Sequence, residues 1–170
     1  MMPSMDAPRT ILVVDDEPSV RHALQRTLTD SGYEVLTAAD GEEAIKVLES
    51  NPVQLLICDY NMPGMSGIDL LKIVGVRYPR IMRVMLTGDP DPEIAVRSIN
   101  EGEVYRFIRK PWNKSDLRTI VHFAFRVVKL EEEKRRLVAM VRRQQAGAQA
   151  DPAEVEAELL LLAEEEAKEG

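Results

Sequence analysis

The stretch Val53–Gly67, VQLLICDYNMPGMSG, decides the fold. Its opening run, Val53 to Cys58, is too short and too continuously apolar for a surface helix, so it reads as a strand covered on both faces of a parallel sheet. The run ends in a carboxylate, Asp59, followed by a turn rich in Asn, Pro and Gly. That places Asp59 at the C-terminal tip of the strand, the edge at which open α/β sheets bind ligands.

On either side of this stretch, apolar runs alternate with helical patterns. Thr10 to Val14 is a first strand, and Pro18 to about Ser31 follows with Val20, Ala23, Leu24, Thr27 and Leu28 at helical spacing. Tyr33 to Ala38 is the second strand. Asp40 and Glu43 are spaced as a capping box at the head of a helix ending near Ser50, and Pro52 follows it. Ser66 can cap a third helix through Tyr78, Met82 to Thr87 is the fourth strand, and Asp91 to Asn100 the fourth helix. Val104 to Arg109 is the fifth strand, after which Asn113 caps a long final helix. Strict alternation with short connections implies parallel strands, right-handed crossovers and helices on both faces. The expected fold class is therefore α/β, a doubly wound five-stranded parallel sheet over residues 9–128, with an extended C-terminal helix.

Composition narrows the setting. No apolar run approaches the roughly 18 residues needed to span a membrane, and the first residues, MMPSMDAPR, lack the apolar centre of a signal peptide. Residues 1–8 are expected to be disordered. The single cysteine, Cys58, lies in an apolar run and is expected to be a buried, inert thiol. A cytoplasmic home follows. The formal net charge of −7 is unevenly spread. Asp151, Glu154, Glu156, Glu158, Glu164, Glu165, Glu166 and Glu169 face Lys168 alone in the last twenty residues; removing them from totals of 29 acids and 22 bases leaves 21 of each. A general nucleic-acid-binding surface is not indicated.

The strand ends carry the chemistry. The first strand ends in Asp15 and Asp16, the third in Asp59, the fourth in Thr87 and Gly88, and the fifth in Lys110 and Pro111. In a parallel sheet these ends share one rim. Three carboxylates there repel one another by kcal/mol amounts even at an effective dielectric of about 20, so a cation is required. Lys110 supplies one charge, and a hard, oxygen-seeking ion such as Mg2+ would supply more. The pattern suggests phosphoryl transfer onto a carboxylate: Asp59 attacks phosphorus in line, metal and Lys110 neutralise the phosphoryl oxygens, and Thr87 donates a hydrogen bond to one of them. Gly88 leaves room for that group to approach the backbone. Asp15 and Asp16 serve the metal. Each feature alone has an ordinary explanation as a turn, a cap or a solvated loop; their coincidence at matching strand ends does not.

ILVVDDEP, LLICDYNMPGMSG, MLTG and FIRKPW together resemble the receiver domain of two-component response regulators, over about 120 residues and in that family's order. The resemblance implies a flavodoxin-like strand order of 2-1-3-4-5. It implies that Asp59 is the phosphoacceptor, that Asp16 and the backbone carbonyl of Asn61 are metal ligands, and that Asp15 holds the ion partly through water. Thr87 and Lys110 match the switch hydroxyl and the lysine, and Phe107 falls at the aromatic switch position, where an ordinary strand aromatic is the competing explanation. Tyr60, Asn61 and Asp89 occupy positions that tune the lifetime of the phosphoryl group. The implied partner is a sensor histidine kinase or phosphotransfer protein, and the implied output surface is the fourth helix, fifth strand and fifth helix. The wording VYRFIRKPWN also resembles receivers that precede a signalling helix and an output domain, including cyclic-dinucleotide phosphodiesterases. The forty or so residues after 128 are too few for a catalytic core, so the chain is expected to act as a switch without an output enzyme domain in these residues, and truncation before such a domain is left open.

Beyond 128 the helical pattern continues. Phe123, Val127, Leu130, Leu137, Val141 and Gln144 recur at alternating spacings of four and three, interrupted by Lys134, so residues 129–146 extend a seam that could form a parallel coiled-coil dimer. A solvated helix is the alternative. The basic cluster Lys134, Arg135, Arg136, Arg142 and Arg143 lacks interleaved aromatics and a helix-turn-helix pattern, so nucleic acid is an unlikely partner. Residues 147–170 read as a linker and a short acidic amphipathic helix through Val155, Leu159 and Leu162, able to fold back or to meet a partner. Two other function classes compete with the switch: a Mg2+-dependent phosphohydrolase working through an aspartyl-phosphate, and a constitutive dimerisation or adaptor module. Such hydrolases usually carry a second acid two residues past the nucleophile, where this chain has Asn61.

Overall fold

The computed structural model describes residues 9–88, 91–101, 104–147 and 152–169. The expected disorder at 1–8, the tuning position Asp89 and most of the linker after Gly147 lie outside them. The elements are β1 (Thr10–Val14), α1 (Pro18–Asp30), β2 (Glu34–Ala38), α2 (Gly41–Ser50), β3 (Leu55–Asp59), α3 (Gly67–Arg77), β4 (Met82–Thr87), α4 (Pro92–Asn100), β5 (Arg106–Arg109), α5 (Lys114–Gln145) and α6 (Pro152–Glu169). The five strands form one parallel sheet in the order β2-β1-β3-β4-β5. This is the doubly wound, flavodoxin-like order, with the long C-terminal helix attached.

Strand alternation sorts the core into two layers. Leu12, Val14, Leu56, Cys58 and Met85 face α2 and α3, meeting Leu48, Leu70, Leu71 and Val74. Ile11, Val13, Leu55, Ile57, Val84 and Leu86 face α1 and α5, meeting Leu24, Leu28, Leu117 and Val121. β1 and β3, covered on both sides, are buried at every position. The starts of α2, α3 and α5 are satisfied by side chains: Asp40 accepts from the Glu43 amide at 2.8 Å, Ser66 from the Asp69 amide at 3.2 Å, and Asn113 from the Ser115 amide at 2.8 Å.

Several boundaries shift from expectation. β3 begins at Leu55 instead of Val53, while Asp59, which pairs with Leu86, is its last residue, at the C-terminal tip as expected. β5 begins at Arg106, although the Tyr105 amide still reaches the Arg83 carbonyl at 2.8 Å. The last helix is not short: α6 has 18 residues and lies along α5. Leu162 and Ala163 of α6 and Ala139 of α5 are buried there. The helix is longer than its apolar residues suggest because acidic side chains at both ends meet arginines of α5. At roughly 100° per residue, Phe123, Leu130, Leu137 and Val141 fall on the side of α5 opposite Ala139, and all four are exposed.

Candidate functional site

The rim is assembled by register. Val14 pairs with Cys58, and Asp59 with Leu86, so the chain segments just beyond β1, β3 and β4 emerge side by side. Asp15, Asp16 and Asp59 each offer a carboxylate oxygen, and these lie within 4.8 Å of one another. Asp15 and Asp59 are buried, while Asp16 is exposed. Lys110, just past β5, reaches across with Nζ 3.0 Å from Asp15 Oδ2 and 3.2 Å from Asp59 Oδ1. Its backbone amide donates to the Thr87 carbonyl at 2.8 Å, so β4 carries the support of the lysine backbone as well as the buried Thr87 side chain.

The electrostatics follow from this crowding. Burial raises the pKa of Asp59, the neighbouring charges of Asp15 and Asp16 raise it further, and Lys110 opposes the rise without cancelling it. For Lys110, burial pulls the pKa down, but hydrogen bonds and charge from Asp15 and Asp59 outweigh it and the net shift is upward. The lysine is thus held as an ammonium, yet one ammonium among three carboxylates leaves the pocket net negative. An all-oxygen donor set, two of its acids buried, fits a hard divalent cation such as magnesium. Cys58 is wholly buried, and burial together with Asp59 and Asp15 drives its thiol far above the ordinary range, in keeping with the inert cysteine expected.

The remaining candidates surround this centre. Asn61 is exposed in the loop after β3. A Cβ at Gly88 would meet nothing within 4 Å, so the approach to Thr87 is open. Phe107, paired with Met85, is half-buried against the α2–α3 side of the core. Two contributors escaped the sequence reading. Arg21 of α1 donates from Nη1 to the Asp15 carbonyl at 2.7 Å, while the Glu17 amide donates to Asp15 Oδ1 at 2.9 Å. Gly67 packs against the Asp59 backbone and its amide donates to the Tyr60 carbonyl at 3.1 Å. The only sequence signals were an arginine on the first turns of the helix after Asp15 and a glycine next to a helix cap, both too common to single out.

Residues 11–122 match the family model described as the response regulator receiver domain. The hydrogenase transcriptional regulatory protein HoxA of Cupriavidus necator is 39% identical over 132 residues, which is 78% of this chain but 27% of that protein. The C4-dicarboxylate transport transcriptional regulatory protein DctD of Rhizobium meliloti is 34% identical over 146 residues, 86% of this chain and 30% of the relative. The chain therefore spans only about a quarter to a third of these relatives. Among solved structures, the signal receiver domain of an HD domain-containing protein from Pseudomonas fluorescens superposes with a TM-score of 0.69 at 34% identity, covering 72% of this chain and 98% of that one. The response regulator TrrA of Thermotoga maritima, solved in complex with Mg2+ and BeF, gives 0.62 at 32% identity, covering 68% and 98%. No helix among the described residues is long and apolar enough to cross a membrane.

Proposed function

Because the chain belongs to the response regulator receiver domain family of two-component systems, we propose that it is a phosphorylation-dependent switch that accepts a phosphoryl group on Asp59. The donor would be a phosphohistidine on a sensor histidine kinase or phosphotransfer protein, met in the cytoplasm. The observation that carries this reading is the Lys110 ammonium bridging the two buried acids, Asp15 and Asp59. A core has no use for that arrangement, whereas a site that must gather negative charge does.

In the proposed transfer an Asp59 carboxylate oxygen forms a bond to phosphorus as the bond from phosphorus to the donor imidazole nitrogen breaks, the electron pair leaving with the imidazole. Lys110 moves its ammonium from the carboxylates to a phosphoryl oxygen, and the Thr87 hydroxyl donates to another. Asp16, Asp59 and the Asn61 backbone carbonyl would hold a magnesium ion, with Asp15 reaching it partly through water, and its charge would offset that of the phosphoryl oxygens. Arg21 holds the Asp15 backbone, so that Asp15 and Asp16 keep their aim. Inward movement of Thr87 then frees the volume into which half-buried Phe107 turns, changing the surface of α4, β5 and α5 together.

Residues 9–128 form the receiver unit in this reading, and 129–146 carry its state outward. The exposed stripe Phe123, Leu130, Leu137 and Val141 supports a parallel homodimer through α5. The chemistry is confined to the protein's own aspartate. A magnesium-dependent phosphohydrolase remains the competing class, and Asn61, exposed where such an enzyme places its acid, counts against it. Incubation with magnesium and acetyl phosphate, followed by intact mass, separates them. An Asp59-dependent gain of one phosphoryl group supports the switch, turnover of many phosphate esters supports the hydrolase, and no gain overturns both.

A further inference from the structure

α6 rests on a seat built from two parts of the chain. Along α5, Arg135, Ala139 and Arg143 stand four residues apart and form one stripe. Beside them is the turn between α3 and β4, where Arg80 Nη2 donates to the mid-helix carbonyl of Leu159 at 2.6 Å. Arg135 pairs with Glu166 at 3.2 Å, Lys134 with the same glutamate at 3.8 Å, and Arg143 with Glu154 and Glu158. Leu162 and Ala163 supply the apolar contact.

Two observations distinguish this seat from ordinary helix packing. First, it is larger than its occupant: a cleft of about 600 Å³ remains between α6, α3 and the turn, lined among others by Lys72, Val76, Arg80, Arg83, Arg135 and Glu166. Val76, an apolar side chain at its edge, is 81% exposed. Second, the ion pairs that hold α6 are half in water: the Glu154, Glu165 and Glu166 side chains are 59%, 65% and 41% exposed, whereas Arg135 and Arg143 are only 12% and 14% exposed. Desolvating those guanidinium groups offsets much of what the pairs return, their exposed ends are screened by salt, and a helix in a protein draws most of its stability from tertiary packing. The helix carrying nearly all of the chain's negative excess thus sits, lightly held, on its basic cluster.

We propose that this seat is a docking surface for an acidic amphipathic helix of a partner protein, and that α6 occupies it in cis as an autoinhibitory strap. A helix is favoured over a polyanion because the seat offers apolar groups that phosphates cannot use, Ala139 buried on α5 and Val76 exposed at the edge of the cleft, and among the described residues the cleft is lined by no aromatic for base stacking. The short tether gives α6 a high effective concentration, so a partner in trans competes only once α6 is weakened. None of this requires phosphate on Asp59.

The test uses the full chain and a fluorescent peptide of residues 152–169 as the probe. In a released variant carrying Glu158→Gln, Leu162→Gln and Glu166→Gln, the peptide is expected to bind at least about tenfold more tightly than to the unaltered protein. Binding should weaken with salt and be lost when Arg135→Glu and Arg143→Glu are added, with the far-ultraviolet circular dichroism melt showing that the receiver stays folded. Amide exchange in the unaltered protein should show α6 protected, and less so at high salt. Equal affinity for released and unaltered protein, no binding to either, unprotected α6 amides, or tighter binding of duplex DNA than of the peptide by the released variant would each overturn the proposal.

Discussion

A Cβ added at Gly67 would lie 2.1 Å from the backbone carbonyl oxygen of Asp59, a contact with main chain that no rotamer change relieves. The first turn of α3 is thereby pressed against the strand end that carries the candidate phosphoacceptor. Gly67→Ala should destabilise the fold by about 1–3 kcal/mol, the usual penalty for overpacking, and should slow phosphorylation because Asp59 must move. Urea unfolding and acetyl phosphate labelling check the two effects.

Asp59→Asn should abolish labelling and, at neutral pH, raise the urea midpoint. The sign follows from the raised pKa: the fold penalises the charged form of Asp59, so the penalty is present above its folded value and vanishes as pH falls below the unfolded value near 3.8. The stability gap between variant and unaltered protein should therefore be widest at neutral pH and close in acid. Magnesium should narrow the gap at neutral pH by stabilising the unaltered protein more.

Lys110→Met removes the ammonium that Asp15 and Asp59 share. Labelling should slow on the order of 100-fold, the scale seen when one charge-stabilising group is lost, and the variant should be less stable at pH 7. With the folded pKa of Lys110 raised above 10.5, its contribution is complete below that pH and lost as pH rises through the folded value. The unaltered protein should lose this increment in alkali, and the variant should not.

Arg21→Ala withdraws the donor to the Asp15 carbonyl. Magnesium affinity, read by calorimetry, should drop about tenfold or more, the effect of losing a partner that orients a ligand. Arg21→Lys should recover part of it, which a merely structural defect would not.

Leu130→Glu with Leu137→Glu places charge on the exposed stripe of α5, away from α6. Sedimentation should show the loss of any dimer, while labelling of Asp59 stays unchanged. A dimer that survives would move the interface elsewhere.

Much of this molecule was legible in one dimension. The doubly wound fold follows from short apolar runs alternating with helical patterns, because β1 and β3 need apolar side chains on both faces. The rim residues were legible because a parallel sheet puts all C-terminal strand ends on one edge, so Asp15, Asp59 and Lys110 could be grouped without knowing which strands touch. Strand order came from resemblance, since alternation alone permits other orders. Arg21 and Gly67 were illegible for a different reason: each matters through one contact with a backbone atom, and main-chain positions leave no trace in residue type.

Periodicity and chain direction alone suffice for the fold class, for the acids and the lysine that meet, and for an apolar stripe on α5. Tertiary structure decided that Lys110 bridges Asp15 and Asp59 at about 3 Å, that Asp59 ends β3 against the first turn of α3, and that α6 turns back onto α5. Those depend on distances between residues far apart in the chain, which only the packed sheet and helices bring into reach. The reading of Val53–Gly67 as a strand ending in a functional acid belongs to the first class, and the raised pKa of that acid to the second.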